Sequence, residues 1–416
     1  MSIRNSLAAD KKDVARFEEH AVVQFQRPIQ EVVQEMRDIF SYIVRPNHPP
    51  FMSAIPSPSS PISWLGEILT SAFNSWPAAW FAGSGVATIE TKLIAWLATQ
   101  IGMPTSTGGT FKLVENTRSL GVVYFSDQTH FSVPKVLRVL GFSNSQMRQL
   151  PADSNFRLDM EQLRKTIIAD KSKGLIPFLI VANVGSTNTG SIDPINEIAD
   201  LAKEHNMWMH VDGAYGASVA LSKSYRSLLN GIERCDSLAW DAHKWLFKTF
   251  GCGIVLVHDK RYLAESFASS GDYFRDILSD DDEPNMLNYG IELTRPARHM
   301  KLWFTLRVLG LETLGGFAEA ELRKLPDWEI TSPAILGVVT FRYCLDGLDE
   351  KVNDDINAAI SLEIIKSNVA YIQTTRICSK VSLRICVIHP EITKGDMQNI
   401  ITTLNNLALN VVQTYK

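Results

Sequence analysis

Cysteine is scarce and unpatterned in this chain. There are five, Cys235, Cys252, Cys344, Cys378 and Cys386. Their number is odd and no pair has CxxC spacing, so neither a disulfide framework nor a zinc site is expected, no metal is assigned, and a reducing compartment suits the thiols. Long apolar runs are also missing. No stretch reaches the ~18 to 20 residues that cross a bilayer, and the opening MSIRNSLAADKKDVARFEEH is too polar for the core of a signal peptide. The sequence has no basic run, and its net charge of -4 offers no field for nucleic acid or an anionic membrane. Internal repeats and low-complexity tracts are absent as well. These exclusions lead to an expected cytoplasmic protein with no nucleic-acid and no membrane partner.

What remains is ordinary globular material, 45% hydrophobic and 21% charged. With 416 residues the chain exceeds one typical domain. Helical periodicity covers 9–43 with a break near Pro28, then 64–74 and 88–101, around a Pro- and Ser-rich loop at 44–63. Strands and helices then alternate. Apolar strands are expected at 122–126, 178–184, 208–212, 237–240 and 253–258, with helices at 133–140, 158–169 and 194–204. That alternation implies an α/β fold, a mixed and mostly parallel sheet covered on both faces. Ligands of such sheets sit outside the C-terminal ends of the strands. A polar, acidic stretch at 270–290 reads as a surface loop, followed by a helix at 298–309. The character changes after Gly315, where strands at 338–343 and 381–387 and helices at 353–367 and 394–411 make a small α+β unit. The expected division is an N-terminal helical segment, 1–75, a large domain, 76–320, and a small C-terminal domain, 321–416.

Four places at expected strand ends carry reactive groups. In VDGAYG, Asp212 closes an apolar strand and is followed by small residues. An Asx-turn would explain it, and so would a carboxylate aimed at a ligand. In WDAHKWLF, Lys244 lies between two apolar runs, with His243 before it and Asp241 further back. A lysine there either snorkels to the surface or serves as a nucleophilic amine. In SDQTHFSVPK, His130 follows a strand and could stack on a flat ring, or merely stand near a helix start. In VANVGSTNTGSIDP, hydroxyls and backbone N–H groups could hold an oxyanion or simply form a turn. The pair of Lys244 with Asp212 sharpens these choices. Pyridoxal phosphate (PLP) requires a Schiff-base lysine and an acid at its pyridine nitrogen.

With SDQTH, NVGSTNTGSIDP, HVDGAYG and DAHKW in this order, the chain resembles the group II PLP-dependent decarboxylases, the family of aromatic-amino-acid, histidine and glutamate decarboxylases. The resemblance runs from about His48 to the C-terminus. It implies a type I PLP fold and a homodimer with active sites at the subunit interface. By matching motif, Lys244 would carry the cofactor as a Schiff base and Asp212 would pair with the pyridine nitrogen. Ala214 would pack on one ring face and His130 stack on the other. Thr187 would bond the cofactor's polar edge, and His243 and Asp241 would lie toward the phosphate. Tyr273, in the acidic loop, matches a family tyrosine that helps return a proton after CO2 leaves. The catalytic group is thus Lys244, Tyr273 and His130. The implied activity is decarboxylation of an L-amino acid, with PSPSSPISWLGEIL leaning toward a bulky or aromatic substrate. Arg342, in VVTFRY, is the candidate for binding an acidic substrate, and a structural role competes with it.

One departure from the family is plain. Between GGTF, 108–111, and Ser126 lie 14 residues. A Gly/Ser loop, a helix and a strand do not fit into that length, so the usual phosphate cup, backbone N–H groups at a helix start, is not expected. Thr105, Ser106, Thr107 and the two glycines are what remains. A catalytically impaired relative and a PLP-dependent aldehyde synthase therefore stand beside the decarboxylase as alternatives.

Overall fold

The computed structural model describes residues 28–40, 50–52, 59–73, 80–104, 107, 120–222, 225–267, 286–292, 296–309, 322–345, 347–389 and 392–415. The chain divides into two compact units. One comprises Ile55–Gly316 and Ser332–Thr340, the other Met1–Ala54, Phe317–Thr331 and Phe341–Lys416. Helix α1 (Ile29–Phe40) belongs to the smaller unit.

The larger unit begins with α2 (Pro61–Phe73) and α3 (Trp80–Gln100). Its sheet then forms from β1 (Gly121–Ser126), β2 (Met147–Leu150), β3 (Ile176–Asn183), β4 (Trp208–Asp212), β5 (Ser237–Asp241) and β6 (Gly253–Val257). The spatial order is β2-β1-β3-β4-β5-β6. The first five strands are parallel and β6 runs antiparallel on the edge. All six residues of β1 are buried, which is why GVVYFS reads as a continuous apolar run rather than an alternation. On one face, Val123 and Phe125 of β1 and Leu179 and Val181 of β3 pack with Leu137 of α4 (Ser132–Val139) and with Phe142. Alternate strand residues share that face.

The crossover helices show their reasons in sequence. Helix α5 (Met160–Ser172) starts where the Asp159 side chain accepts from the N–H groups of Glu161 and Gln162. Helix α6 (Ile195–Glu204) buries Ile195, Ile198, Ala199, Leu201 and Ala202, an apolar stripe at helical spacing. Asp170 of α5 is buried and bound by the Tyr124 hydroxyl at 3.0 Å and by Arg148 through Nε and Nη2 at 2.9 and 2.8 Å. This joins α5 to β1 and β2 with a satisfied, bidentate ion pair. Gly190 has φ +71°, and a Cβ there would run into the Ile335 carbonyl oxygen, so only glycine fits this turn.

Helix α7 (Ala242–Trp245) follows β5 directly, and after β6 come α8 (Arg261–Phe267) and α9 (Arg298–Leu309). The second sheet, in the order β7-β8-β10-β9, uses β7 (Trp328–Ile335), β8 (Val338–Tyr343), β9 (Gln373–Ile377) and β10 (Lys380–Cys386). Helices α10 (Glu350–Ser367) and α11 (Lys394–Gln413) complete the α+β character. The Asn357 side-chain amide pairs with the backbone of Tyr343, accepting and donating at 2.8 Å, as a neighbouring strand would. Cys378 and Ser379 both have positive φ, 49° and 67°, and form the tight two-residue turn that suits the twist of the β9–β10 hairpin.

Three of these strands, β2, β7 and β9, were not expected from the sequence. MRQL and QTTRI are polar and mostly uncovered, and WEITSPAI holds a proline, so none shows an apolar period. Among the described residues, no helix is long and apolar enough to cross a membrane.

Candidate active site

The C-terminal edge of the parallel sheet gathers the residues singled out above. The parallel register sets Asn183 beside Asp212 and Asp212 beside Ala239. The chain therefore leaves β1, β3, β4 and β5 on one rim.

His130 lies just past β1. The turn that brings it there is held by Thr129 N–H donating to Ser126 O at 3.0 Å. Ser132 Oγ lies 2.8 Å from His130 Nδ1 and fixes the ring. Burial lowers the imidazole's pKa below its ordinary value, and the charge of Lys244 pushes the same way. Asp212 and Asp241 oppose. The ring is thus uncharged at neutral pH, and Lys244, Asp212 and Asp241 all lie within its electrostatic reach.

Asp212 ends β4. Its Oδ1 accepts from Ala214 N–H at 3.2 Å, so the Asx-turn reading holds, yet this bond engages one carboxylate oxygen. The strand ends are tied together. Val184 N–H donates to Asp212 O at 2.8 Å, and Asp241 N–H to Ala214 O at 3.0 Å. His210 and Trp208 share the strand face of Asp212. Ser237 Oγ meets His210 Nδ1 and Trp208 Nε1, each at 2.8 Å. Burial lowers the His210 pKa, against the pull of the Asp212 charge.

Lys244 sits in the single turn of α7. Its Nζ is 3.3 Å from Asp241 Oδ2, and His243 Nε2 is 3.8 Å from the same oxygen. The Nδ1 of His243 is buried and has no hydrogen-bond partner among the described residues. Behind the lysine, Trp245 stacks on Tyr215 with ring centroids 4.6 Å apart.

Thr187 lies half-buried in the turn after β3. Its neighbours Ser186, Thr189 and Ser191 turn inward and bond one another, at 2.8 Å for Ser186–Thr189 and 2.7 Å for Ser186–Ser191. The sequence reading missed the network beneath. Asp193 is buried and accepts from Leu158 N–H at 2.7 Å and from the Asn183 N–H and side-chain amide at 2.6 and 2.9 Å. Burial raises its carboxyl to about 6. The same Asn183 amide donates to Thr129 Oγ1 at 3.1 Å, next to His130. The signal was present in NVGSTNTGSIDP, where a strand-ending Asn and a following Asp bracket the turn.

Tyr273 lies outside the described residues, as do Thr105, Ser106 and the segment 108–119. Thr107 is buried, and its hydroxyl closes a local turn onto Pro104 O. Arg342 is fully buried and pairs with Glu350 at 2.5 Å and Asp354 at 3.4 Å, which gives it a structural task in the smaller unit.

The donor set fits pyridoxal phosphate. It offers an amine for a carbonyl carbon, a carboxylate for a protonated ring nitrogen, an uncharged imidazole beside both, and a buried nitrogen on His243 that lacks a partner. Fold and site together define a type I PLP enzyme. Comparison with known proteins agrees. The family model described as the pyridoxal-dependent decarboxylase conserved domain matches residues 114–344. The chain is 37% identical to an aromatic-L-amino-acid decarboxylase of Bacillus atrophaeus, over 91% of this chain and 85% of that protein. It is 28% identical to a phenylacetaldehyde synthase of Petunia hybrida, over 84% and 78%. In fold it is similar to the Oryza sativa TDC crystallised with PLP and tryptamine, with TM-score 0.89, 23% identity, and 97% and 93% of the chains covered. The chain belongs to the pyridoxal-dependent decarboxylase family. Its activity is PLP-dependent decarboxylation of an amino acid.

Proposed function

We propose that this chain converts an aromatic or similarly bulky L-amino acid to the amine and CO2, as a cytoplasmic homodimer. The observation that carries the chemistry is the meeting of Lys244, Asp212 and His130 on one rim, where Lys244 and Asp212 both act on the His130 ring. The bulky substrate is favoured by the 37% identity to a protein named for aromatic amino acids.

When bound, PLP supplies an electron sink for the pair left behind when CO2 departs. Lys244 Nζ would hold its carbonyl carbon, and Asp241, 3.3 Å from that Nζ, would steady the lysine amine. The Asp212 carboxylate would keep a proton on the ring nitrogen through its charge. The uncharged His130 imidazole and Ala214 would pack against the ring. Thr187 would bond the polar edge, and His243, whose Nδ1 has no partner among the described residues, would serve the phosphate. Tyr273 would return a proton to the α-carbon.

A homodimer is supported by α1. Ile29, Val32, Val33, Met36 and Phe40 form a stripe at helical spacing, and the helix buries none of its residues. Such a stripe needs a cover. A Val33→Glu, Met36→Glu double variant is expected to shift sedimentation from dimer toward monomer. An unchanged dimer would remove α1 from the interface.

The substrate test is an assay of PLP-loaded protein against L-phenylalanine, L-tyrosine, L-tryptophan, L-2,4-diaminobutyrate and L-glutamate. CO2, amine and hydrogen peroxide are measured together. Amine and CO2 in equal amounts from an aromatic substrate is the expected result. Aldehyde with peroxide would favour the synthase reading that the Petunia relative's name suggests. Turnover of diaminobutyrate or glutamate alone would overturn the aromatic assignment.

A further inference from the structure

Lys248 is a buried cation that the site above does not use. Its residue is 2% exposed, and its Nζ has no hydrogen-bond partner among the described residues. The backbone around it is fastened on several sides. Ser60 N–H donates to Phe247 O at 3.0 Å, and Thr249 N–H to Ser63 Oγ at 3.1 Å. Thr249 Oγ1 donates to Glu67 Oε2 at 2.8 Å. Lys301 Nζ binds Phe250 O at 3.0 Å and Glu67 at 2.6 Å. Phe247 is held at φ +57°, a conformation that a bulky residue keeps only under constraint. The amine therefore cannot swing out to water without unfastening α2, the loop and α9 together.

A lysine this buried ordinarily has an ionic partner. Among the described residues, the titratable groups that act on it are Cys252 and Lys301. Cys252 does not serve as a counter-ion, because burial pushes its thiol up to about 11. Burial pushes the Lys248 amine down to about 7, and the paired ammonium of Lys301 pushes the same way. A large share of Lys248 is then a neutral, water-shielded amine at physiological pH, which is a nucleophile. A small apolar electrophile suits such a place, and this enzyme's own reaction makes one, CO2.

We infer that Lys248 is a carbamylation site, at which Nζ adds to CO2 to give a lysine N-carboxylate. The nitrogen lone pair forms the N–C bond, and one C=O pair of CO2 moves onto oxygen. The proton then carried by nitrogen leaves to water through the same local opening that admits CO2. No oxidant or further reactant is needed. The step replaces an unpartnered amine by an anion in the field of the Lys301 ammonium.

The test uses the PLP-loaded full chain with 13C-labelled bicarbonate in place of substrate, so it does not depend on which amino acid is decarboxylated. A 13C carbamate resonance is expected. Trapping with triethyloxonium should leave an ethoxycarbonyl group on the peptide that contains Lys248. The resonance should vanish in Lys248→Met and persist in Lys244→Ala. Trapping in the unaltered protein keeps the question answerable if Lys248→Met fails to fold. Absence of carbamate at saturating CO2 would overturn the inference, and so would label confined to the N-terminal amine, surface lysines or Lys244.

Discussion

Lys244→Ala is expected to reduce CO2 release by on the order of 10³-fold or more, since removal of a covalent nucleophile costs at least that much in comparable machinery. The loss should be chemical rather than structural. Lys244 keeps 23% of its side chain exposed, and its one ion pair among the described residues is with a partly exposed Asp241. Pairs of that kind contribute roughly 0 to 1 kcal/mol, so the melting temperature should scarcely move. Borohydride reduction of the PLP-loaded parent, followed by mass mapping, should find the cofactor on Lys244. The same treatment of the variant should find none there. Lys248, four residues on, makes this a demanding test, because its amine is the more buried of the two and lies near neutrality. Cofactor mapped to Lys248, or more than a tenth of parental turnover in the variant, would refute the assignment of Lys244.

The strand ends that carry the site were legible because their physics is local. Strand β3 is buried over its last five residues, and β4 and β5 bury Met209, Val211, Leu238 and Trp240, so their apolar runs stop where the chain meets the crevice, at Asn183, Asp212 and Asp241. The expected strands ended within a residue of these positions, and the small residues after Asp212 marked the turn. Other parts gave no such signal. MRQL pairs along the sheet edge through its backbone, and its side chains alternate nothing that a period could show. The bond from Asn183 to Thr129 joins residues 54 positions apart, and no local pattern encodes a contact of that range. Lys248 shows the limit most clearly. In WLFKTFG it reads as one cation in an apolar run, where snorkelling is the ordinary expectation. Only the fastening of 247–250 by Ser60, Ser63 and Lys301 turns it inward.

Asp212→Asn separates the two tasks that one side chain performs. Asparagine keeps an oxygen able to accept from Ala214 N–H, so the turn after β4 survives. What is lost is the charge. A preorganised charge in a water-poor site is typically worth about 3 to 4 kcal/mol, or ~10² to 10³ in rate. The expected result is a fall of that size in kcat with near-parental stability. Asp212→Ala should fall at least as far and lose stability in addition, because it also gives up the turn. An independent readout comes from the imidazoles. The Asp212 charge raises the pKa values of His130 and His210 against burial, so its removal should lower both further, and NMR titration of the ring protons would register the shift. A change in His130 without a change in rate would mean that the carboxylate is close to the histidine but not to the reacting ring. A rate within threefold of the parent would therefore reject the pyridine-nitrogen role, even though Asp212 stands at the end of the right strand.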